Sequence, residues 1–344
     1  MTDFTNRQPS ISVIDAIILA FNHMITVLFR PFKPVKWLKF GLVAFLAALG
    51  TSQGNSFNFN IPGDTGKKFA ELEPFFNQAY QWVLANLTLI IIVGIAVILL
   101  ITIIWAVLIY FGSRFSFVFL DGVIKKDVRI KQAYKENKTL GWSYFLWRII
   151  FTPNALLAIL LIIGIPTTIL ILAGVDKGFS LGIILGLVGA GLVFIGLLII
   201  LAIIGVFTVD FIVPIMYLRK IRILQAWKIF WSILRTNKLQ FFLYILLKMG
   251  LSLASLLVMC LSMCVVCCVA IPPAAILVGL VVLSIQYPLV WIAVALAFIP
   301  LIVGLGILTQ TVVLPVTVFF RTYPIVFLEG FAEEFVCISK YQRP

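Results

Sequence analysis

Two stretches of 31 residues, 82–112 and 179–209, contain no charged side chain. A bilayer's hydrocarbon core is about 30 Å thick and is crossed by roughly 20 residues of α-helix, so an uncharged apolar run of this length reads as a membrane span. Backbone groups in hydrocarbon must bond within the chain, which leaves helices and closed barrels. These runs are continuously apolar and do not alternate, which excludes a barrel. The fold class expected is therefore an all-α integral membrane protein. Composition agrees: 62% of residues are hydrophobic and 11% charged, where a soluble domain carries about a quarter charged.

About six transmembrane helices are expected, near 36–50, 82–111, 144–173, 179–207, 241–270 and 289–320. Charge sets their orientation. The segments 1–40, 112–148, 208–238 and 321–344 hold 22 of the 26 Lys and Arg, against three (Lys67, Lys68, Lys177) in the opposite loops. Basic residues flanking spans mark the cytoplasmic side, so both termini are expected there. Lys248 is the remaining base, near the inner end of the fifth span, where it is expected to snorkel to the headgroups. The N-terminus lacks the basic, apolar and small-residue order of a cleavable signal. Two places resist the count. The first span covers only about 21 Å at 1.5 Å per residue. The segment near 271–288, bracketed by Pro272, Pro273 and Pro288, is too short to cross alone. A re-entrant or outer-interface helix is expected there.

The net charge of +13 does not point to nucleic acid. The bases sit in short segments beside apolar spans, and no recognition helix, zinc spacing or RNA-binding motif is present. The segment 219–238 reads instead as an amphipathic helix in the headgroup plane. Leu224, Trp227, Trp231 and Leu234 mark one face, and Arg222, Gln225, Lys228, Ser232 and Arg235 the other. Trp227 and Trp231 are the expected interfacial anchors. Arg129, Lys131, Arg222, Lys228 and Arg235 are the expected contacts for anionic lipid headgroups.

The cytoplasmic segments also resemble each other. VRIKQAYK at 128–135 aligns without gaps with IRILQAWK at 221–228. This suggests three pseudo-repeats of an interfacial helix plus a helix pair, 11–111, 112–207 and 208–320, closed by a C-terminal interfacial helix at 321–340, all in one membrane domain, 1–344.

LQAWKIFWSILRTNKLQFFLYILL (224–247) and LPVTVFFRTYPIVFLEGF (314–331) resemble a group of prokaryotic membrane proteins of unknown function. They are similar to the membrane domain attached to some glycerophosphoryl diester phosphodiesterases. The catalytic barrel of those enzymes, with its metal-binding carboxylates and histidines, is missing from this sequence. The resemblance implies a fold and a multi-pass place in a prokaryotic cytoplasmic membrane, and no activity.

Catalysis by acid–base or metal chemistry needs convergent His, Cys and carboxylates. The chain has one histidine, His23, placed on the N-terminal interfacial helix. Neither a catalytic residue nor a metal site nor a cofactor is expected, and no nucleotide loop is present. Cys260, Cys264, Cys267 and Cys268, four of the five cysteines, share one helix face. Ionising a thiol in hydrocarbon is costly, so the expected role is helix packing by a small apolar side chain. The function expected is a non-enzymatic scaffold or accessory subunit that binds lipids, partner membrane proteins or further copies of itself. The alternative is a transporter or channel for a small or lipidic solute, with Thr309, Gln310, Thr311 and Gln286 available to line a path.

Overall fold

The structure is a computed structural model that describes residues 12–49, 86–177, 180–286, 290–331 and 335–338. All elements among them are helical: α1 (Val13–Phe29), α2 (Pro34–Ala48), α3 (Leu87–Lys125), α4 (Ile130–Glu136), α5 (Lys138–Ile159), α6 (Ile165–Lys177), α7 (Leu181–Phe207), α8 (Val213–Arg219), α9 (Ile223–Thr236), α10 (Lys238–Gln286), α11 (Val290–Val312) and α12 (Leu314–Glu329). A π-turn at Leu160–Gly164 joins α5 to α6, and another at Thr208–Ile212 joins α7 to α8.

Four helical rods are long and apolar enough to cross a membrane. The count reaches six if two bent pairs, α1–α2 at 119° and α11–α12 at 61°, each make one span. Local sequence explains both bends. Pro34 opens α2, and Pro315 lies in the first turn of α12. Proline suits a helix start, where its missing N–H has no partner to lose. α10 runs unbroken through Pro272 and Pro273 to Gln286, so the segment expected to re-enter continues the helix of the fifth span. Residues 287–289 lie outside the described residues, as does the polar loop 51–81.

The rods are longer than the bilayer is thick. α3 has 39 residues, about 58 Å at 1.5 Å each, and its first charge is Arg114. Its apolar half is exposed, as at Ile98 (64%), while nearly every residue from Gly112 to Val123 is buried. Lipid tails are as apolar as leucine, so an exposed Ile98 costs nothing in hydrocarbon. At their basic ends the helices converge on a packed core. Phe211 there stacks on Phe230 at 5.2 Å and meets Tyr244 at 4.9 Å and Phe241 at 5.2 Å. Each large side chain buried this way stabilises by roughly 1.5–3 kcal/mol. One core cluster joins residues of α1, α3, α5, α9, α10 and α12, so the first and last helices share a single body.

Close contacts fix the order of spans. α2 lies between α3 and α11, α3 packs on α5, α6 on α7, and α10 on α11. A side chain at Gly41 would run into Thr311, and one at Gly112 into the carbonyl of Leu49. Glycine at both positions lets α2 sit tightly between its neighbours.

α3 and α8 end alike. Lys126 (φ 58°) and Lys220 (φ 54°) adopt the left-handed conformation, which stops a helix and turns the chain. A short amphipathic helix follows each, α4 and α9. Each then meets an asparagine, Asn137 or Asn237, whose amide donates to the carbonyl four residues back, before the next long helix starts.

Candidate functional site

The π-turn between α7 and α8 places the site. A π-turn inserts an extra residue into the helical ladder, re-aiming side chains and disturbing the regular carbonyl pairing. Asp210 lies in this turn and is buried. Lys248, from α10, makes an ion pair with Asp210 Oδ2. The Tyr244 hydroxyl, one turn away on α10, donates to the same oxygen at 2.9 Å. Arg321, from α12, donates through Nη1 to the Val209 carbonyl at 2.9 Å and through Nη2 to the Ser116 carbonyl of α3 at 3.3 Å. One guanidinium thus ties three helical rods together.

Asp210, Lys248 and Arg321 face a chamber of about 360 Å³. Its wall takes Ala44 from α2, Ser116 from α3, Tyr144 from α5, Asp210 from the π-turn, Lys248 and Ser255 from α10, and Thr309 and Gln310 from α11. Ser252, also on the wall, is exposed, so the chamber is open. The volume suits a small ligand.

Charge in the chamber does not cancel. Asp210 is shared by Lys248 and Tyr244, while Arg321 pairs with no carboxylate among the described residues. Two cations therefore face one anion at low dielectric, where an uncompensated charge acts strongly. The chamber can hold a small anionic group without further rearrangement of charge.

The match to known families covers residues 11–338, nearly the whole chain, and falls on one described as a family of unknown function, DUF7544. The chain belongs to that family. No curated protein and no solved structure matches the DUF7544 chain. The resemblance to the phosphodiesterase-attached domain therefore finds no support from relatives.

Within this DUF7544 fold, Lys248 does not snorkel. It turns inward to Asp210, because the carboxylate 38 positions earlier lies against it across the bundle. Sequence reasoning singled out none of Asp210, Tyr244 and Arg321 as site residues. The available signal was four ionisable side chains near the inner ends of spans, an arrangement that usually marks a functional site.

The residues expected to bind headgroups lie elsewhere. Arg129 and Lys131, at the start of α4, are exposed, and Arg129 lies 3.3 Å from Asp127. Arg222, Lys228 and Arg235 are exposed along α9. They do not converge with the chamber. α9 carries a third face that the two-sided reading overlooked: Ile223, Ala226, Phe230 and Ile233 are buried in the core. Leu224 and Trp231 flank that face and stay exposed, with Arg235 5.2 Å from the Trp231 ring. Trp227 is turned inward onto Trp147 at 5.9 Å and is half-buried, so it does not share the outward setting of Trp231.

Three other expectations shift. The C-terminal helix expected at 321–340 begins at Leu314 and ends at Glu329, and its residues 321–329 are buried against the core and α1 rather than lying in the interface. His23 is buried and bonded to the Val123 carbonyl at 2.9 Å, a packing role. The four clustered cysteines are free and exposed. Ser262 and Val266 make the buried side of that helix, so the thiols occupy the apolar perimeter instead of a helix contact. Among the described residues no three His, Cys, Asp or Glu come together as a metal site.

Proposed function

We propose that this protein is a carrier or channel of a prokaryotic cytoplasmic membrane and that its central chamber binds a small anionic solute. One observation carries the reading: a chamber touched by helices of all the apolar rods and both bent pairs, with Lys248 and Arg321 set against the single carboxylate of Asp210. A scaffold needs an apolar perimeter and basic ends, which most multi-pass proteins have. It does not need two cations facing a shared internal space, since buried charge is costly unless used.

The proposal includes six crossings, each bent pair counting as one, with both termini cytoplasmic. It also includes a three-unit origin. The gapless 128–135 and 221–228 match coincides with the left-handed lysines and the paired asparagines. Repeats of one orientation arranged about an axis leave a site at their common interface.

Thermal unfolding of the purified protein tests the binding claim. Glycerol 3-phosphate, inorganic phosphate and short-chain carboxylates are titrated against matched chloride. At a hundred times Kd, a ligand held by the folded state adds about 2.7 kcal/mol of stability. At least one probe should raise the melting temperature saturably in the wild type and not in Lys248→Gln. Equal responses in both proteins, or no saturable response to any probe, would remove the solute reading and return the scaffold reading to first place.

A further inference from the structure

A second cavity opens on the side of the bundle and shares Tyr144 and Val209 with the chamber wall. It is a groove of about 660 Å³ between α3, α5 and α7. Trp105 and Ile109 line it from α3, Phe151 and Ile159 from α5, and Leu201 and Gly205 from α7. Arg148 stands at one end. From Arg148 outward to Ile159 the α5 wall rises 11 residues, about 16 Å at 1.5 Å each, and it carries no other charge.

Depth decides what such a groove meets. Arg148 lies beside Ser113, next to the first charged residue of α3, Arg114. That places it where the apolar run of α3 ends, at the level of headgroups. The rest of the groove faces the hydrocarbon. A long apolar trough with a cation at its headgroup end matches a phospholipid in length, polarity and direction.

The guanidinium is available. Among the described residues it donates one hydrogen bond, a long one to Ser113 Oγ at 3.4 Å, and lies 5.6 Å from the Tyr144 ring. No carboxylate of the described residues pairs with it. Arginine has five N–H donors in a planar fork that fits a phosphate bidentately. A cation left without a counter-ion beside a membrane is complemented by an anionic lipid and not by a neutral one.

We infer that the groove between α3, α5 and α7 seats one anionic phospholipid, its phosphate on Arg148 and an acyl chain along Phe151, Ile159 and Leu201. This site is separate from the exposed bases of α4 and α9 and does not depend on the central chamber. A lipid there holds α3, α5 and α7 in register where side chains alone leave a gap.

Native mass spectrometry of the full chain in detergent tests the inference. Phosphatidylglycerol and phosphatidylcholine of matched acyl chains are added after delipidation. The wild type should retain one phosphatidylglycerol with a preference of about tenfold or more. The retained mass should be that of the whole lipid, and glycerol 3-phosphate alone should not displace it. Arg148→Gln should abolish the preference. Gly205→Phe fills the trough without touching Arg148, because nothing lies within 4 Å of where its Cβ would stand. That variant should lose the retained lipid, and Lys248→Gln should keep it. If Arg148→Gln unfolds, Gly205→Phe decides alone. Retention of the same lipid by Gly205→Phe, an unchanged preference in a folded Arg148→Gln, or equal binding of phosphatidylcholine by the wild type overturns the inference.

Discussion

Arg321 donates at 2.9 Å to the carbonyl of Val209, a residue 112 positions earlier in the chain. The contact joins the last helix to the π-turn that carries Asp210, and the second arm of the same guanidinium reaches α3. Arg321 is buried, and its loss leaves the Val209 and Ser116 carbonyls without this donor. Hydrogen bonds from charged donors are worth roughly 1.5–3 kcal/mol each. Arg321→Met should therefore lower stability by about 3–5 kcal/mol, read as a fall in melting temperature. Arg321→Lys should recover only part of it, because one ammonium cannot span both carbonyls as the fork does.

Asp210 and Lys248 should behave as a unit. Breaking a buried pair by removing one partner leaves the other charge exposed to low dielectric, at a cost of roughly 3–5 kcal/mol. Asp210→Asn and Lys248→Met should each destabilise strongly, and the double variant should be more stable than the sum of the two predicts. A double-mutant cycle on thermal stability measures this. Additive effects would mean that the two side chains do not interact.

Gly41 and Gly250 differ in their surroundings. A Cβ at Gly41 would come within 2.0 Å of Thr311 Oγ1, while nothing lies within 4 Å at Gly250. Gly41→Val should loosen the α2–α11 contact and cost about 1–3 kcal/mol through overpacking. Gly250→Ala should be neutral or stabilising, since alanine favours a helix by about 1 kcal/mol over glycine. Melting temperatures in detergent separate the two.

Cys337 lies beyond the spans. Burial pushes its thiol above the usual range, and the nearby Glu329 carboxylate pushes it further. Only the thiolate reacts quickly. A raised value keeps the thiol protonated at neutral and mildly alkaline pH, so alkylation of Cys337 by iodoacetamide should be slow at pH 8 and accelerate as pH rises further. Unfolding in denaturant should remove the delay. Peptide mapping after timed quenching reads the rate at this one position, and fast labelling in the folded protein at pH 8 would contradict the packing.

Much of this fold is legible in the sequence, for physical reasons. Within the uncharged runs, residues 87–112 and 181–207 become the apolar parts of α3 and α7 because hydrocarbon tolerates little else. Pro34 signals the start of α2. The site was less legible. Lys248 sits on a helix whose neighbours in sequence are apolar, and nothing local shows that Asp210 lies across from it. The third face of α9 was hidden because Ile223, Ala226, Phe230 and Ile233 share an apolar arc with Leu224 and Trp231. Periodicity shows that an arc is apolar, and does not show which part meets protein and which meets lipid. The cysteine face misled in the same way.

The central claim is that solutes reach a cationic chamber among the spans, and accessibility of single cysteines tests it most directly. In a background with all five native cysteines replaced, a cysteine is introduced at Ser116 or Thr309 on the chamber wall, and at Ile195 on the exposed perimeter as a control. Modification by a small anionic methanethiosulfonate, carrying a sulfonate, is compared with its cationic trimethylammonium counterpart. Wall cysteines should react with both reagents, the anionic one faster by about tenfold after correction for intrinsic reactivity, as expected for one uncompensated positive charge at low dielectric. That advantage should vanish in Lys248→Gln, and the cysteine at position 195 should react with neither. Unreactive wall cysteines, or a faster cationic reagent, would contradict the account.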